Sequence, residues 1–363
     1  MKKKLLPFLL ILTMCAALLT GCGTQTPAGG ASSQATVAES ATEAGSSGAQ
    51  EAETAEAQEG ESASPEETEA SGAFPFDLVT KDDQVVTFTH VPERILSTNP
   101  NTGEQLMAMG LGDKIIGTCY NNAKVAEQYQ EAYEALPRIA EQYPSLEVVL
   151  ELDPDFIYGR SSAFSEKDTA IATHDKLTEM GIMSLSSIEG YKLGCDLEDV
   201  YEDFHNLGRI FRAEDKAEEV VGGIQAQVSA VKEKIAGQET VRVFNFDAEM
   251  DGGVYTPGNN FTSKLIRHAG GVNIFEELEN TWNTVSWEEV VELDPEVIII
   301  NDYGSTPLQE KIDVLNNTPS LQGITAVKNR NYVAVTLPEV FASTRVGDTI
   351  EKFAIAFHPE CFE

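Results

Sequence analysis

The feature that most constrains this chain is an internal repeat. Residues 145–157 (SLEVVLELDPDFI) align without a gap on residues 286–298 (SWEEVVELDPEVI), and more than half of the aligned positions are identical. Each copy reads as one physical unit: a Ser at a helix start, a short helix with an apolar face, an Asp-Pro stop, then a buried strand. The Ser oxygen suits the orphan N–H groups of a first turn, and the Glu two residues later suits the positive end of the helix dipole. One such unit is ordinary. Its return later in the chain predicts a duplicated architecture.

The flanking sequence agrees. A hairpin is expected over residues 78–88, and apolar runs at 95–98, 115–119, 156–158 and 183–186 predict buried strands, with helices at 103–109 and 165–180 between them. A second set of strands follows at 241–246, 297–300 and 332–335. Short apolar strands alternating with helices predict the α/β class, with mainly parallel sheets covered on both faces. Between the two sets, Ala217, Val220, Val221, Ile224, Val228, Val231 and Ile235 recur at three- and four-residue spacing in a stretch without Pro. That pattern predicts an amphipathic helix roughly 35 Å long, stopped at Gly237. The expected organisation is an N-terminal α/β lobe (74–212), a single connecting helix (213–237) and a C-terminal α/β lobe (238–363). One long helix between two lobes makes a stiff hinge.

The chain opens differently. Lys2, Lys3 and Lys4 precede an apolar run that closes on Leu19-Thr20-Gly21-Cys22. A charged start, a short apolar run and a small residue before the cut predict an export signal over residues 1–21. The ending resembles the bacterial lipobox, in which Cys22 is lipidated and becomes the new N-terminus. Residues 23–72 then carry ten Glu, no Lys or Arg and no aromatic residue. Such a segment cannot bury enough apolar surface to offset its chain entropy, so a disordered acidic tether is expected over 22–73. The expected location is extracytoplasmic, anchored to the cell membrane by lipidated Cys22.

Charge and motifs narrow the function classes. With 25 Lys+Arg against 59 Asp+Glu, the formal charge is −34. Nucleic-acid binding, which needs clustered cations, is excluded. The five His are scattered, and no nucleophile elbow, phosphate loop or dinucleotide fingerprint follows a strand. No catalytic residue, cofactor or resident metal is therefore expected. Cys119, Cys195 and Cys361 remain after the anchor, too few to pair fully and without metal spacing, so they read as idle or buried thiols.

Ordered short motifs then match one family. Pro92-Glu93-Arg94-Ile95-Leu96, Glu104 with Leu106–Gly112, Leu150-Glu151-Leu152-Asp153-Pro154-Asp155 and its twin in the second copy of the repeat, Ala269-Gly270-Gly271-Val272-Asn273 and His358-Pro359-Glu360 are spread over most of the folded part. The chain resembles the class III (helical-backbone) periplasmic solute-binding proteins of ABC importers, the family that binds ferric siderophores, haem and cobalamin. The resemblance implies two lobes joined by one helix, a small-molecule cargo in the cleft between them, and delivery to ABC permease subunits by a monomer.

In open α/β sheets ligands sit beyond the carboxyl ends of strands. The expected cleft residues are Asn99, Tyr120, Tyr158, Arg160, Tyr255, Asn259, Tyr303 and Arg345, with the two arginines placed to fork onto an acidic group of the cargo. The resemblance implies that Glu147 and Glu288, one per repeat, dock onto the permease. A ferric siderophore is the broad expectation for the cargo, with corrinoid and haem following. The stretch 129–158 is similar to a subset of the family associated with import of an anionic deazaflavin precursor. A bare Zn or Mn ion, bound on the same architecture, and a surface sensor or adhesin without a transporter are the alternatives of other kinds.

Overall fold

Two parallel sheets organise the molecule, one on each side of a long helix. The computed structural model describes residues 73–250 and 252–363, so the expected signal peptide and Cys22, with nearly all of the expected tether, lie outside the described residues. The described residues belong to one compact unit.

The first part begins with an antiparallel hairpin, β1 (Phe76–Val79) and β2 (Val85–Phe88). It continues through β3 (Ile95–Ser97), helix α1 (Pro100–Ala108), β4 (Ile115–Cys119), α2 (Glu127–Glu134), β5 (Arg138–Ala140), α3 (Leu146–Leu152), β6 (Phe156–Gly159), α4 (His174–Glu179) and β7 (Met183–Ser186). These form a five-stranded parallel sheet in the order β5-β4-β3-β6-β7. The helix expected over 165–180 is confined to α4. The polar stretch before it (Ser165-Glu166-Lys167-Asp168) lacks an apolar stripe that packing would reward.

Helix α5 (Leu197–Phe211) precedes the connecting helix, α6 (Glu214–Lys234). At 21 residues, α6 is about 31 Å long at 1.5 Å per residue. It ends three residues before Gly237, which adopts φ 85° beyond the helix. Ala217, Val221, Ile224, Val228 and Val231 form its buried stripe. The stripe packs on α5 from one side and on the last long helix from the other. A fully buried Val or Ile contributes about 1.5–3 kcal/mol, so this seam is a principal bond between the two parts.

The second part runs through β8 (Val241–Phe246), β9 (Ala248–Met250), β10 (Gly253–Pro257), α7 (Phe261–His268), β11 (Gly271–Asn273), β12 (Trp282–Val285), α8 (Trp287–Leu293), β13 (Val297–Asn301), α9 (Leu308–Asn317), α10 (Thr325–Asn329), β14 (Tyr332–Val335) and α11 (Val346–Phe357). Its parallel sheet has the order β11-β8-β13-β14. Strands β9, β10 and β12 make a separate antiparallel sheet, which departs from the expectation of parallel sheets throughout.

The repeat is reproduced in space. Helices α3 and α8 have seven residues each and both end on an Asp in the left-handed region, Asp153 at φ 53° and Asp294 at φ 41°. Each stop is braced by an arginine at the head of the neighbouring strand. Arg94 donates from Nε to Asp153 O (2.6 Å) and from Nη2 to Leu152 O (2.7 Å). Arg242 donates from Nε and Nη2 to Asp294 O (3.1 and 3.0 Å). Caps differ: Ser286 and Glu289 form a reciprocal capping box on α8, whereas the Ser145 side chain makes no cap on α3.

Candidate functional site

A cavity of about 450 Å³ lies between the two parts, at the carboxyl ends of the parallel strands. Arg160, Glu189, Lys192 and Cys195 line it from the first lobe, and Asp247, Tyr255, Trp282, Tyr303 and Phe341 from the second. The antiparallel sheet supplies the aromatic shelf. Tyr255 pairs in register with Thr284, and Trp282 with Pro257. The two aromatics are therefore diagonal neighbours, within reach of large rings. Their rings stack at 5.2 Å with 14° between planes.

The guanidinium in the cavity is already matched. Arg160 Nη2 lies 3.2 Å from Glu189 Oε1, and its guanidinium sits 3.9 Å over the Phe341 ring of the other lobe. Behind the wall, Asn301 Nδ2 donates to Asp247 Oδ1 (2.8 Å) and to Tyr303 Oη (3.0 Å). Burial pushes the Tyr303 phenol up, and the Asp247 carboxylate adds to that, so Tyr303 stays a neutral donor. Lys311, only 2% exposed, donates to the carbonyls of Asn301 and Tyr303 and so holds the loop after β13. Burial draws its ammonium below the ordinary lysine range, with Asp247 and Asp302 opposing.

The turn at 160–162 divides this cavity from a second, of about 540 Å³, in the first lobe. Tyr120 and Tyr143 wall it as another stacked pair, 4.7 Å apart. Tyr120 holds φ 51°, a left-handed conformation uncommon for an aromatic residue. Tyr143 Oη reaches Ser162 Oγ at 2.7 Å and donates to Asn99 Oδ1 at 3.2 Å.

Of the residues expected from sequence, Arg160, Tyr255 and Tyr303 line the inter-lobe cavity, and Tyr120 lines the second. Asn99 is buried behind them, its Oδ1 accepting from Thr98, Tyr143 and Arg160 N. Asn259 does not line the cavity; its neighbour Asn260 does, as the cap of α7. Two further expectations are corrected. Tyr158 is fully buried and donates to Gln105 Oε1 at 2.9 Å, because β6 turns that side chain into the core while the cleft lies beyond the strand end. Arg345 does not reach the cavity: its Nε donates to Glu104 Oε2 at 3.0 Å, and Nη2 donates to Glu104 Oε1 and to Lys124 O.

Glu147 and Glu288 stand exposed in the first turns of α3 and α8. Cys119 and Cys195 are buried and Cys361 half-buried, and all three are free. Burial pushes the Cys119 thiol up to about 12 and the Cys195 thiol up as well, so neither is a ready nucleophile. Sequence reasoning missed Glu189, Lys192 and Phe341. They sit in turns whose place depends on elements far away in the chain, and only the aromatic character of Phe341 offered a signal.

A family model described as "Periplasmic binding protein" matches residues 95–337. Among curated proteins, the ABC transporter substrate-binding lipoprotein YvrC of Bacillus subtilis (strain 168) is 25% identical over 295 residues, covering 80% of this chain and 88% of that protein. A vitamin B12-binding protein of Vibrio parahaemolyticus is 26% identical over 211 residues, covering 58% of this chain and 71% of that protein. Among solved structures, a periplasmic binding protein from Veillonella parvula superposes with a TM-score of 0.72 at 30% identity, covering 78% of this chain and 97% of that one.

Proposed function

Because the chain belongs to the periplasmic binding protein family, we propose that its inter-lobe cavity receives a large, weakly charged metal chelate of the corrinoid type. The coarser role is that of a substrate-binding component of an ABC importer, a transport role without catalysis. What carries the choice of cargo is that both arginines expected to grip an acidic ligand are committed elsewhere: Arg160 to Glu189 and Arg345 to Glu104. A polyanionic chelate would find no unmatched cation cluster. The Tyr255–Trp282 shelf and the donors around Asp247 and Tyr303 suit a broad body with an amide rim. The vitamin B12-binding relative supports the same class.

Trp282 lines the cavity, so its emission reports occupancy. The test titrates the full chain with cyanocobalamin, haem, ferric siderophores and divalent metals. Saturable quenching by cyanocobalamin at sub-micromolar concentration is expected. A preference for a ferric siderophore or haem would replace the corrinoid reading, and a response to bare metal alone would overturn the chelate class.

The same reading places the protein outside the cytoplasm, tethered through a lipid on Cys22, and acting as a monomer. Cys22→Ala is expected to move it from the membrane fraction to the soluble fraction. Continued lipid labelling of that variant would remove the anchor. Glu147 and Glu288 are assigned to the permease contact, where exposed charges govern encounter rate more than affinity.

A further inference from the structure

Cavity and hinge are connected by a segment that the transport reading leaves unused. Residues 337–345 follow β14 and lead into α11. Leu337, Val340 and Phe341 line the cavity, and Arg345 reaches across to the first lobe. This strap is stiff. Thr336 and Glu339 form a capping box, Thr349 Oγ1 donates to Glu339 O at 2.8 Å, and Lys352 Nζ donates to Glu339 Oε1 at 2.6 Å. Ser343 Oγ accepts from Arg345 N at 3.2 Å. A movement of Arg345 therefore carries Phe341 with it.

Among the described residues, three side chain–side chain contacts cross between the lobes near the cleft, beside the Arg345 bond to Lys124 O. Arg160 stacks on Phe341 at 3.9 Å, and His268 Nε2 meets Asp196 Oδ1 at 2.6 Å with side chains 18% and 36% exposed. The third is the two-pronged pair of Arg345, 17% exposed, with Glu104, 0% exposed. Burial decides among them. Water screens the histidine pair, whereas the Glu104 carboxylate is shielded from solvent and also accepts from Ala126 N at 2.8 Å. Nearby, Asn101 lies one helical turn before Glu104 on α1, and Thr344 directly precedes Arg345. Asn101 is buried and Thr344 half-buried, and each has side-chain polar atoms shut from solvent without a partner.

We propose that Glu104 and Arg345 are positioning residues: a buried clasp between the lobes that sets the strap, and with it the Phe341 wall, at the spacing that closes the cavity. The consequence for cargo rests on that cavity being the cargo site; the consequence for lobe spacing does not. Occupancy and lobe geometry are then coupled through the strap, and losing the clasp should speed release more than it alters capture.

The experiment has two arms. Arg345→Gln alone leaves a buried carboxylate unpaired and can fail to fold, so the decisive variant is the double substitution Glu104→Gln/Arg345→Met, which removes both charges. Spin labels at Glu151→Cys on α3 and Glu292→Cys on α8, in a Cys361→Ser background, read the inter-lobe distance without cargo. The folded double variant is expected to give a distribution at least about twofold broader and shifted to longer distance. A distribution identical to that of the parent overturns the clasp. In the second arm, cyanocobalamin should dissociate about tenfold faster from the double variant, with association changed less than about twofold. Equal losses in both rates would overturn the strap's part. If the parent binds no chelate, the cargo reading fails while the distance arm still decides the clasp.

Discussion

Trp282→Ala is expected to weaken cargo binding by about 30-fold or more, with little change in thermal stability. The indole is half-exposed on the cavity wall and stacked on Tyr255, so it has the character of an aromatic anchor. Truncating such an anchor costs about 2 kcal/mol or more of binding free energy, and each 1.4 kcal/mol is tenfold in affinity. Trp287 is the internal control. It packs edge-on against Phe244 and Phe246 at 6.0 and 5.4 Å and does not line the cavity. Trp287→Ala should leave affinity within a few-fold and lower stability by about 2–3 kcal/mol, the low side of core truncations because the ring is partly exposed. Isothermal titration and thermal unfolding of both variants separate the two roles. Equal affinity for Trp282→Ala and the parent would remove the shelf from the site.

Acid should loosen the first lobe through His174. Its ring is 1% exposed, stacks on Phe164 at 4.2 Å, and lies between Ser184 Oγ (2.7 Å from Nδ1) and Ser186 Oγ (3.0 Å from Nε2). Burial, helped by the Lys81 charge and opposed by Asp82, lowers its pKa from 6.5 to about 4. Between those values the unfolded chain binds the extra proton and the folded chain does not. Stability from this residue is therefore full above pH 6.5 and is lost as pH falls towards 4. A shift of that size is worth about 3 kcal/mol at 1.36 kcal/mol per unit. The buried carboxyls act in the opposite sense. Asp203 and Glu104 are both raised, chiefly by burial, and so favour the fold as pH falls. The clean readout is the difference between the parent and His174→Gln in denaturant unfolding at pH 7 and at pH 4. The parent's advantage should shrink by about 3 kcal/mol. A constant gap would mean that the imidazole is not held neutral.

What could be read from the chain, and what could not, divides along sequence distance. Strands β4, β7, β8 and β14 have the bounds predicted from sequence, because short segments rich in apolar residues between turn signals are a local mark of strands in an α/β fold. The stripe of α6 was legible because helical periodicity is local. The antiparallel sheet was not. Strand β9 has three residues, and β10 starts at Gly253 and ends at Pro257, residues that usually mark turns. Its pairing depends on β12, on the far side of α7 and β11. The site shows the same limit. Tyr255 and Tyr303 stood out as aromatic residues beside strand ends, whereas Tyr158 carried the same mark and turned inward. Nothing near Arg345 indicates that its partner is Glu104, which is 241 residues away.

The bracing arginines give the repeat a mechanical meaning. Arg94 and Arg242 fasten the ends of α3 and α8 to the strands at the centre of their own sheets. Neither helix can slide on its lobe without breaking that fastening, so each travels as a fixed point of the body beneath it. The exposed first turns of α3 and α8 are then the two tips of a pair of calipers. Any partner that grips both tips gauges the angle between the lobes, and so learns whether the jaws are shut without touching what they hold.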